Sequence, residues 1–315
     1  MKIALVCSHG GHLTEMLYLM DAFEGHDVFF ATYDNIRTRN LQYRKYLFPN
    51  FGESPLKLFR HLPGIIRIFL KEKPDMVLSN GAEIAIPFFY IAKLFRVKTV
   101  FIECYTRIDM PTITGKLVYP VSNLFLVLWS EMLGKYGKKA KYWGGIFNLE
   151  DLTTSMHKGN YILVITGMHS GFERLVKKMD EVAGKINERV IIQIGNTDYE
   201  PQNAEYFKFK DYDEIKELIK DAKVVICPGA MTILDSLVMG TPVITVPRLE
   251  QFGEHLNDHQ LTFAKKLEEN GHVKIIEDIN HLEDTMLNDK ALNKKIMVNT
   301  SLVNKLANFI NKVTS

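Results

Sequence analysis

Ser8-His9-Gly10-Gly11-His12 joins an apolar run, KIALVC, to a helical pattern, HLTEMLYLMDAF. Two adjacent glycines permit a tight turn and let the backbone approach a ligand closely. A helix that starts there aims unpaired N–H groups and its positive dipole end into the same space. Such a place suits an anion, or a negative charge that builds up during a reaction. His12, at the helix start, is placed to accept a proton near neutral pH. The turn lacks the spacing of a dinucleotide fingerprint. Taken alone it is equally compatible with a turn built for geometry and a solvated histidine.

A second cluster has the same plan. The run KVVIC leads into Pro228-Gly229-Ala230-Met231-Thr232 and the helical ILDSLVMG. Small residues at a helix start make a seat for a diphosphate. Asp235, about one turn further in, has a carboxylate able to accept hydrogen bonds from both hydroxyls of a ribose. After the next apolar run, PVITVP, come Arg248, Glu250, His255, Asp258, His259 and Gln260. Polar groups gathered after a strand's carboxyl end are typical of a ligand crevice. The plainer alternative is a surface helix followed by a polar loop. Asp211-Tyr212-Asp213 opens a helix and reads as an N-cap rather than a metal site. No metal-ligating set is expected, nor a divalent ion in the chemical step.

These residues need a framework, and the pattern supplies one. KIALVC, HDVFFAT, DMVLS, KTVFIE and LFLVLW alternate with helical or loop material, and a second series follows with YILVIT, RVIIQIG, KVVICPG and PVITVP. Near-continuous apolar runs between amphipathic helices imply parallel sheets covered on both faces. The expectation is an α/β protein of two Rossmann-like domains facing across a cleft, residues 1–155 and 156–315. The tail from about 291 to 313 is amphipathic; it is assigned to the second domain, with a return to the first left open.

The length of 315 residues suits two domains of about 150 each. Hydrophobic residues at 46% and charged residues at 24% are ordinary for globular chains. Residues 1–150 carry 19 Lys/Arg against 13 Asp/Glu, while the remainder carries 20 against 24. A basic first half and an acidic second half point the first toward an anionic surface or substrate. Cys7, Cys104 and Cys227 are far apart, which fits a reducing compartment without a disulfide framework. The apolar start is too short for a signal-peptide core, and Ile84 to Ala92 is too short to span a bilayer.

GAMTILDSLVMGTPVITVPR followed by DHQ resembles the nucleotide-sugar signature of the family 28 glycosyltransferases. With VIIQIGNTDY, it is similar to the catalytic subunit of the UDP-N-acetylglucosamine transferase of dolichol-linked oligosaccharide synthesis. CSHGGHLTEML, SNGAEIAIP and FIECYTRIDMPTITGKLVYPVSNLFLVLW resemble that enzyme's membrane-recruiting partner. The two are here fused, partner first. Bacterial relatives with the same halves build capsule or exopolysaccharide repeats.

The resemblance implies a GT-B enzyme that transfers a sugar, N-acetylglucosamine first, from a UDP-sugar to a polyprenyl- or dolichyl-diphosphate-linked sugar. No cofactor and no nucleic acid are implied. By position, Gly229, Ala230, Met231 and Thr232 hold the diphosphate, and Asp235, where the family has Glu, holds the ribose. Thr166, Gly167, Arg248, Asp258 and Gln260 complete the donor site. His12 and Glu103 are the candidate bases. Ser8, Gly10, Gly11, Asn80, Gly81 and Arg107 line the acceptor side. Cys227-Pro228 and Ala82-Glu83 depart from the family pattern.

Residues 56–73 and 86–96 are apolar with interspersed cations. Both suit the plane of an anionic membrane surface, and both suit a cover for the sheet. A peripheral protein of the cytoplasmic membrane face is expected. Two other functions fit the framework: a UDP-N-acetylglucosamine 2-epimerase, which needs no lipid acceptor, and a non-catalytic scaffold. Retention of His12 and of an acid at Asp235 speaks against the scaffold.

Overall fold

The computed structural model describes residues 1–52, 55–154, 159–168, 171–229, 231–254, 258–283 and 294–314. It divides into two units, Met1–Ile146 with Val298–Ser315, and Phe147–Met297.

In the first unit, β1 (Lys2–Val6) is followed by α1 (Gly11–Tyr18), β2 (Asp27–Tyr33), α2 (Ile36–Arg39), β3 (Arg44–Phe48), α3 (Pro55–Glu72) and β4 (Met76–Ser79). Then come α4 (Ala85–Leu94), β5 (Lys98–Ile102), α5 (Ile113–Val118), β6 (Leu124–Val127), α6 (Leu133–Tyr136) and β7 (Ala140–Tyr142). The strands form one sheet in the order β3-β2-β1-β4-β5-β6-β7, and every neighbouring pair is parallel. The central strands are apolar along their whole length because helices cover both faces; Ile3, Leu5, Val77, Leu78, Val100 and Phe101 are fully buried. From β1 the chain builds outward through β2 and β3, then returns to place β4 on the other side. That reversal opens a crevice at the carboxyl ends of β1 and β4, where ligands of doubly wound sheets bind.

The second unit repeats the plan. After β8 (Phe147–Thr154) come β9 (Ile162–Ile165), α7 (Glu173–Ala183), β10 (Val190–Gln193), β11 (Glu205–Phe207), α8 (Tyr212–Asp221) and β12 (Val224–Cys227). They are followed by α9 (Met231–Met239), β13 (Val243–Thr245), α10 (His259–Glu269), β14 (Lys274–Ile275) and β15 (Lys294–Val298). The sheet order is β11-β10-β9-β12-β13-β14, again all parallel, while β8 and β15 form a separate pair. Its switch point lies between β9 and β12. Its core gathers Val164, Phe172, Leu175, Met179, Ile192, Ile226 and Val246.

The division corrects the expected one at the tail. The final helix, α11 (Thr300–Thr314), belongs to the first unit, not the second. Leu302, Leu306 and Ile310 recur at helical spacing and are buried, packed on the turn Met20–Phe23. The Asn299 amide donates to the Gly145 carbonyl at 3.0 Å, and Lys305 Nζ to the Trp143 carbonyl at 3.2 Å. An apolar stripe buries itself wherever an open face exists, and sequence distance does not set that choice.

Candidate active site

The crevice of the first unit is lined by the ends of β1, β4 and β5. After β1 the chain turns through Ser8 to Gly11 into α1, with Gly10 at the N-cap. The Gly10 carbonyl accepts the N–H groups of Leu13 and Thr14. The Arg37 guanidinium clamps this turn, donating to the Gly10 carbonyl at 3.3 Å and to Thr14 Oγ1 at 2.8 Å. His12 stands half-buried in the first turn of α1.

Asn80 and Gly81, directly after β4, pin that histidine. The buried Asn80 amide donates to the His12 carbonyl at 2.7 Å. Gly81 has φ +133°, and a Cβ added to it would lie 2.6 Å from His12 Cε1. A side chain at this position would therefore strike the imidazole, which accounts for glycine here. The structure thus brings together His12, Ser8, Gly10, Gly11, Asn80 and Gly81.

Glu103, the other candidate base, has a different setting. Its carboxyl is buried, accepting the Thr112 N–H at 2.8 Å and the Thr112 hydroxyl at 3.0 Å. Thr112 is the N-cap of α5. Burial pushes the Glu103 carboxyl up, against the pull of Thr112, Tyr136 and the Arg107 charge. Both oxygens are engaged in anchoring a helix, and a base must instead reach its substrate. Half-buried Arg107 closes the turn after β5, its N–H donating to the Cys104 carbonyl at 3.1 Å.

The sequence reading missed Glu15. It lies three residues after His12 on α1 and is buried. Its carboxyl accepts from Asn80 Nδ2 at 3.2 Å, the Tyr105 N–H at 3.3 Å and Cys104 Sγ at 3.5 Å. Burial raises it to about 8 despite these donors. The helical spacing from His12 was a visible signal. No local signal pointed to Arg37, because only the fold brings it to the turn. Nor did linear spacing show a set of metal donors, yet among the described residues His12, Glu15 and Cys104 place one ligand atom each within 4.8 Å of one another.

In the second unit, the crevice at the β9–β12 switch point collects most of the expected donor residues. Thr166 directly follows β9; its hydroxyl donates to the Gln193 carbonyl at 2.9 Å, and its carbonyl accepts from the Arg248 guanidinium at 2.6 Å. Arg248 follows β13, is buried, and stacks 4.8 Å over the Phe172 ring. Burial lowers it to about 10, so it stays charged at neutral pH. Gln260 lies against Gly229 and accepts the Arg248 N–H at 3.3 Å. Gly167 and Gly229 take φ +90° and +139°, turns that favour glycine. Asp258 lies at the surface and accepts the Glu250 N–H at 2.8 Å.

Met231 opens α9 with Thr232 beside it, and Ala230 and His255 lie outside the described residues. Asp235 is buried rather than a surface helical residue, and its Oδ1 accepts the Tyr212 hydroxyl at 2.9 Å. Asp211 forms a capping box with Glu214 at the start of α8, so the Asp-x-Asp string is a helix cap as expected.

Two parallel sheets of this order, each with its loops at a switch point, define the GT-B class of fold. The comparisons agree. An Acinetobacter baumannii MurG structure is similar with a TM-score of 0.60 at 17% identity, covering 99% of this chain and 95% of that one. The UDP-GlcNAc 2-epimerase of Methanocaldococcus jannaschii is similar at 0.68 and 15%, covering 99% and 100%. Among curated relatives, the UDP-N-acetylglucosamine–N-acetylmuramyl-(pentapeptide) pyrophosphoryl-undecaprenol N-acetylglucosamine transferase of Clostridium novyi is 27% identical, over 91% of this chain and 86% of its own length.

Residues 161–312 match the model described as glycosyltransferase family 28 C-terminal domain, and residues 50–146 the model described as oligosaccharide biosynthesis protein Alg14 like. The second half of the chain is thus similar to the family 28 glycosyltransferases, and most of the first half to the Alg14-like proteins.

Proposed function

We propose that the chain transfers N-acetylglucosamine from its UDP conjugate to a sugar carried on a polyprenyl or dolichyl diphosphate, at the cytoplasmic face of a membrane. The observation that carries this reading is the family 28 match over the unit that gathers Thr166, Gly229, Arg248 and Gln260 at one switch point. The resemblance of the first half to the Alg14-like family supports the lipid-linked acceptor.

In the mechanism, an acceptor hydroxyl attacks the anomeric carbon in one inverting step. His12 takes the hydroxyl proton, the bond from carbon to the diphosphate oxygen breaks, and UDP leaves with the negative charge. Gly229 and the start of α9, with Met231 and Thr232, receive that charge through backbone N–H groups. Each helix-terminus interaction contributes about 0.3–1 kcal/mol, and up to about 2 when partly buried, so several could supply a few kcal/mol. Asp235 contacts the ribose, and Gly167, Asp258 and Gln260 the donor sugar or its diphosphate. Ser8, Gly10, Gly11, Asn80, Gly81 and Arg107 serve the acceptor. The chemical step needs no divalent ion.

A membrane surface as partner has support in the first unit. Leu70 on α3, Leu94 on α4 and Ile113 on α5 are 59%, 77% and 77% exposed. Tyr90 bridges α4 to α5 by donating to the Leu117 carbonyl, and Phe69 packs on Phe95 between α3 and α4. Exposed Arg67, Lys71, Lys93, Arg96 and Lys116 accompany them. Apolar side chains among cations suit the interface of an anionic bilayer. No helix among the described residues is long and apolar enough to cross a membrane.

The test is a screen of labelled UDP-sugars with a polyprenyl-diphosphate-linked sugar, with and without excess chelator. Transfer from UDP-N-acetylglucosamine that survives the chelator supports the reading. Absence of any lipid product, or loss reversed by magnesium, counts against it. The epimerase reading draws on the fold likeness, which at such low identity is shared by both activities. An isomer formed from UDP-N-acetylglucosamine alone would favour it. Flotation with anionic vesicles tests the membrane reading, and a protein that stays wholly unbound would overturn it.

A further inference from the structure

Three side chains of different donor chemistry converge beside the turn after β1. His12 and Glu15 stand three residues apart on α1, so one turn of helix puts both on the same side. Cys104 comes from the turn after β5. A ring nitrogen of His12, a carboxylate oxygen of Glu15 and Cys104 Sγ lie within 4.8 Å of one another. The Cys104 thiol already donates to Glu15 Oε1 at 3.5 Å, so two of the three groups point at a common place.

The carboxyl is also held from behind. Asn80 Nδ2 donates to Glu15 Oε2 at 3.2 Å and the Tyr105 N–H to Oε1 at 3.3 Å, as outer partners orient a metal ligand. Imidazole, carboxylate and thiolate together are the ligand set of zinc, not of magnesium or calcium, which take oxygen. Zinc bonds of about 2.0–2.3 Å in a tetrahedron need donors roughly 3.5 Å apart. The donors here, within 4.8 Å of one another, therefore close by at most about 1.3 Å, a movement within reach of side-chain rotation. Half-buried His12 gives access from the crevice.

We propose that His12, Glu15 and Cys104 form a binding site for a zinc-class divalent cation, and that its occupancy stops sugar transfer by engaging the base. The site is inhibitory, not catalytic: on binding, the Cys104 proton leaves to solvent and the His12 nitrogen becomes a metal ligand, which cannot take the acceptor proton. The binding half stands on the geometry of one unit. The inhibitory half rests on the transferase reading above.

The experiment uses the full-length chain with cobalt as spectroscopic probe. Cobalt added to the reduced protein should give a near-ultraviolet thiolate charge-transfer band that zinc abolishes by displacement. The band should vanish in Cys104→Ser and persist in Cys227→Ser, with circular dichroism confirming that both are folded. Glu15→Gln should weaken cobalt affinity about tenfold or more. A wild-type protein without the band, or a band that survives Cys104→Ser, overturns the site. Zinc should inhibit the wild-type transferase, and Cys104→Ser should need about tenfold more zinc for half-inhibition, each rate taken relative to its own zinc-free value. An active wild-type enzyme that binds cobalt through Cys104 yet ignores zinc overturns the inhibitory half. A chain inactive with every UDP-sugar overturns the transferase reading, while the cobalt band still decides the site.

Discussion

His12 owes its place to its neighbours more than to its own helix. Asn80 holds its carbonyl, and Gly81 leaves room for its ring. Replacing His12 with Ala should lower kcat by about 10²–10⁴, the usual contribution of a positioned general base, with little change in thermal stability. A comparison of turnover and melting temperature checks this; near wild-type turnover would exclude His12 as the base. Gly81→Ala should act through the same ring. The new methyl meets His12 at a backbone φ of +133°, so a loss of about 1–3 kcal/mol in stability is expected together with a large drop in turnover. Denaturant unfolding and kinetics on the same preparation would show both. Glu103→Gln should do the reverse. It disturbs the Thr112 cap of α5, and costs stability by about 1–2 kcal/mol while turnover stays within a few-fold. A collapse of turnover without unfolding would favour Glu103 as the base.

Elements in the middle of each sheet were legible from the sequence, and those at the edges were not. β1, β4, β5, β9, β10 and β12 are apolar runs because helices cover both faces. β3, with Arg44 and Lys45, and β11, with exposed Glu205 and Tyr206, are edge strands. Edge strands are half-solvated, so their pattern looks like a loop. The segment before β11 is instead fixed by one buried acid. Asp180 on α7 accepts the Tyr199 hydroxyl at 2.7 Å and the N–H groups of Gln202 and Asn203 at 3.0 and 2.6 Å. Burial pushes this carboxyl up, but the donors outweigh it and hold it below the ordinary 3.8. Its stabilisation is therefore fully present above that value and lost as pH falls through the lower folded value. Asp180→Ala should cost about 3 kcal/mol at neutral pH by stranding these donors, and the gap to wild type should narrow in strong acid. Unfolding by denaturant at two pH values would check it.

At the scale of the whole molecule, the chain ends by returning to its first unit. Removing residues 298–315 should expose the face that α11 covers and loosen the first unit, while the second keeps its protection. Hydrogen exchange of the truncated chain would show this; equal loosening of both units would contradict the division. The charge asymmetry has a counterpart at this scale, since exposed cations of the basic first half accompany the apolar residues of α3, α4 and α5.

The sequence by itself determined the fold class, the two glycine-bearing turns and the family resemblance. Each is written in local information: apolar periodicity, residues that tolerate special turns, and contiguous motifs. Only the tertiary structure decided which side chains share a crevice. His12 meets Gly81 and Cys104, Arg37 reaches the Gly10 turn, Tyr212 meets Asp235, and α11 joins the first unit. These contacts join residues distant along the chain. They depend on strand order, and order is set by how whole helices and strands bury their faces, which no local pattern records.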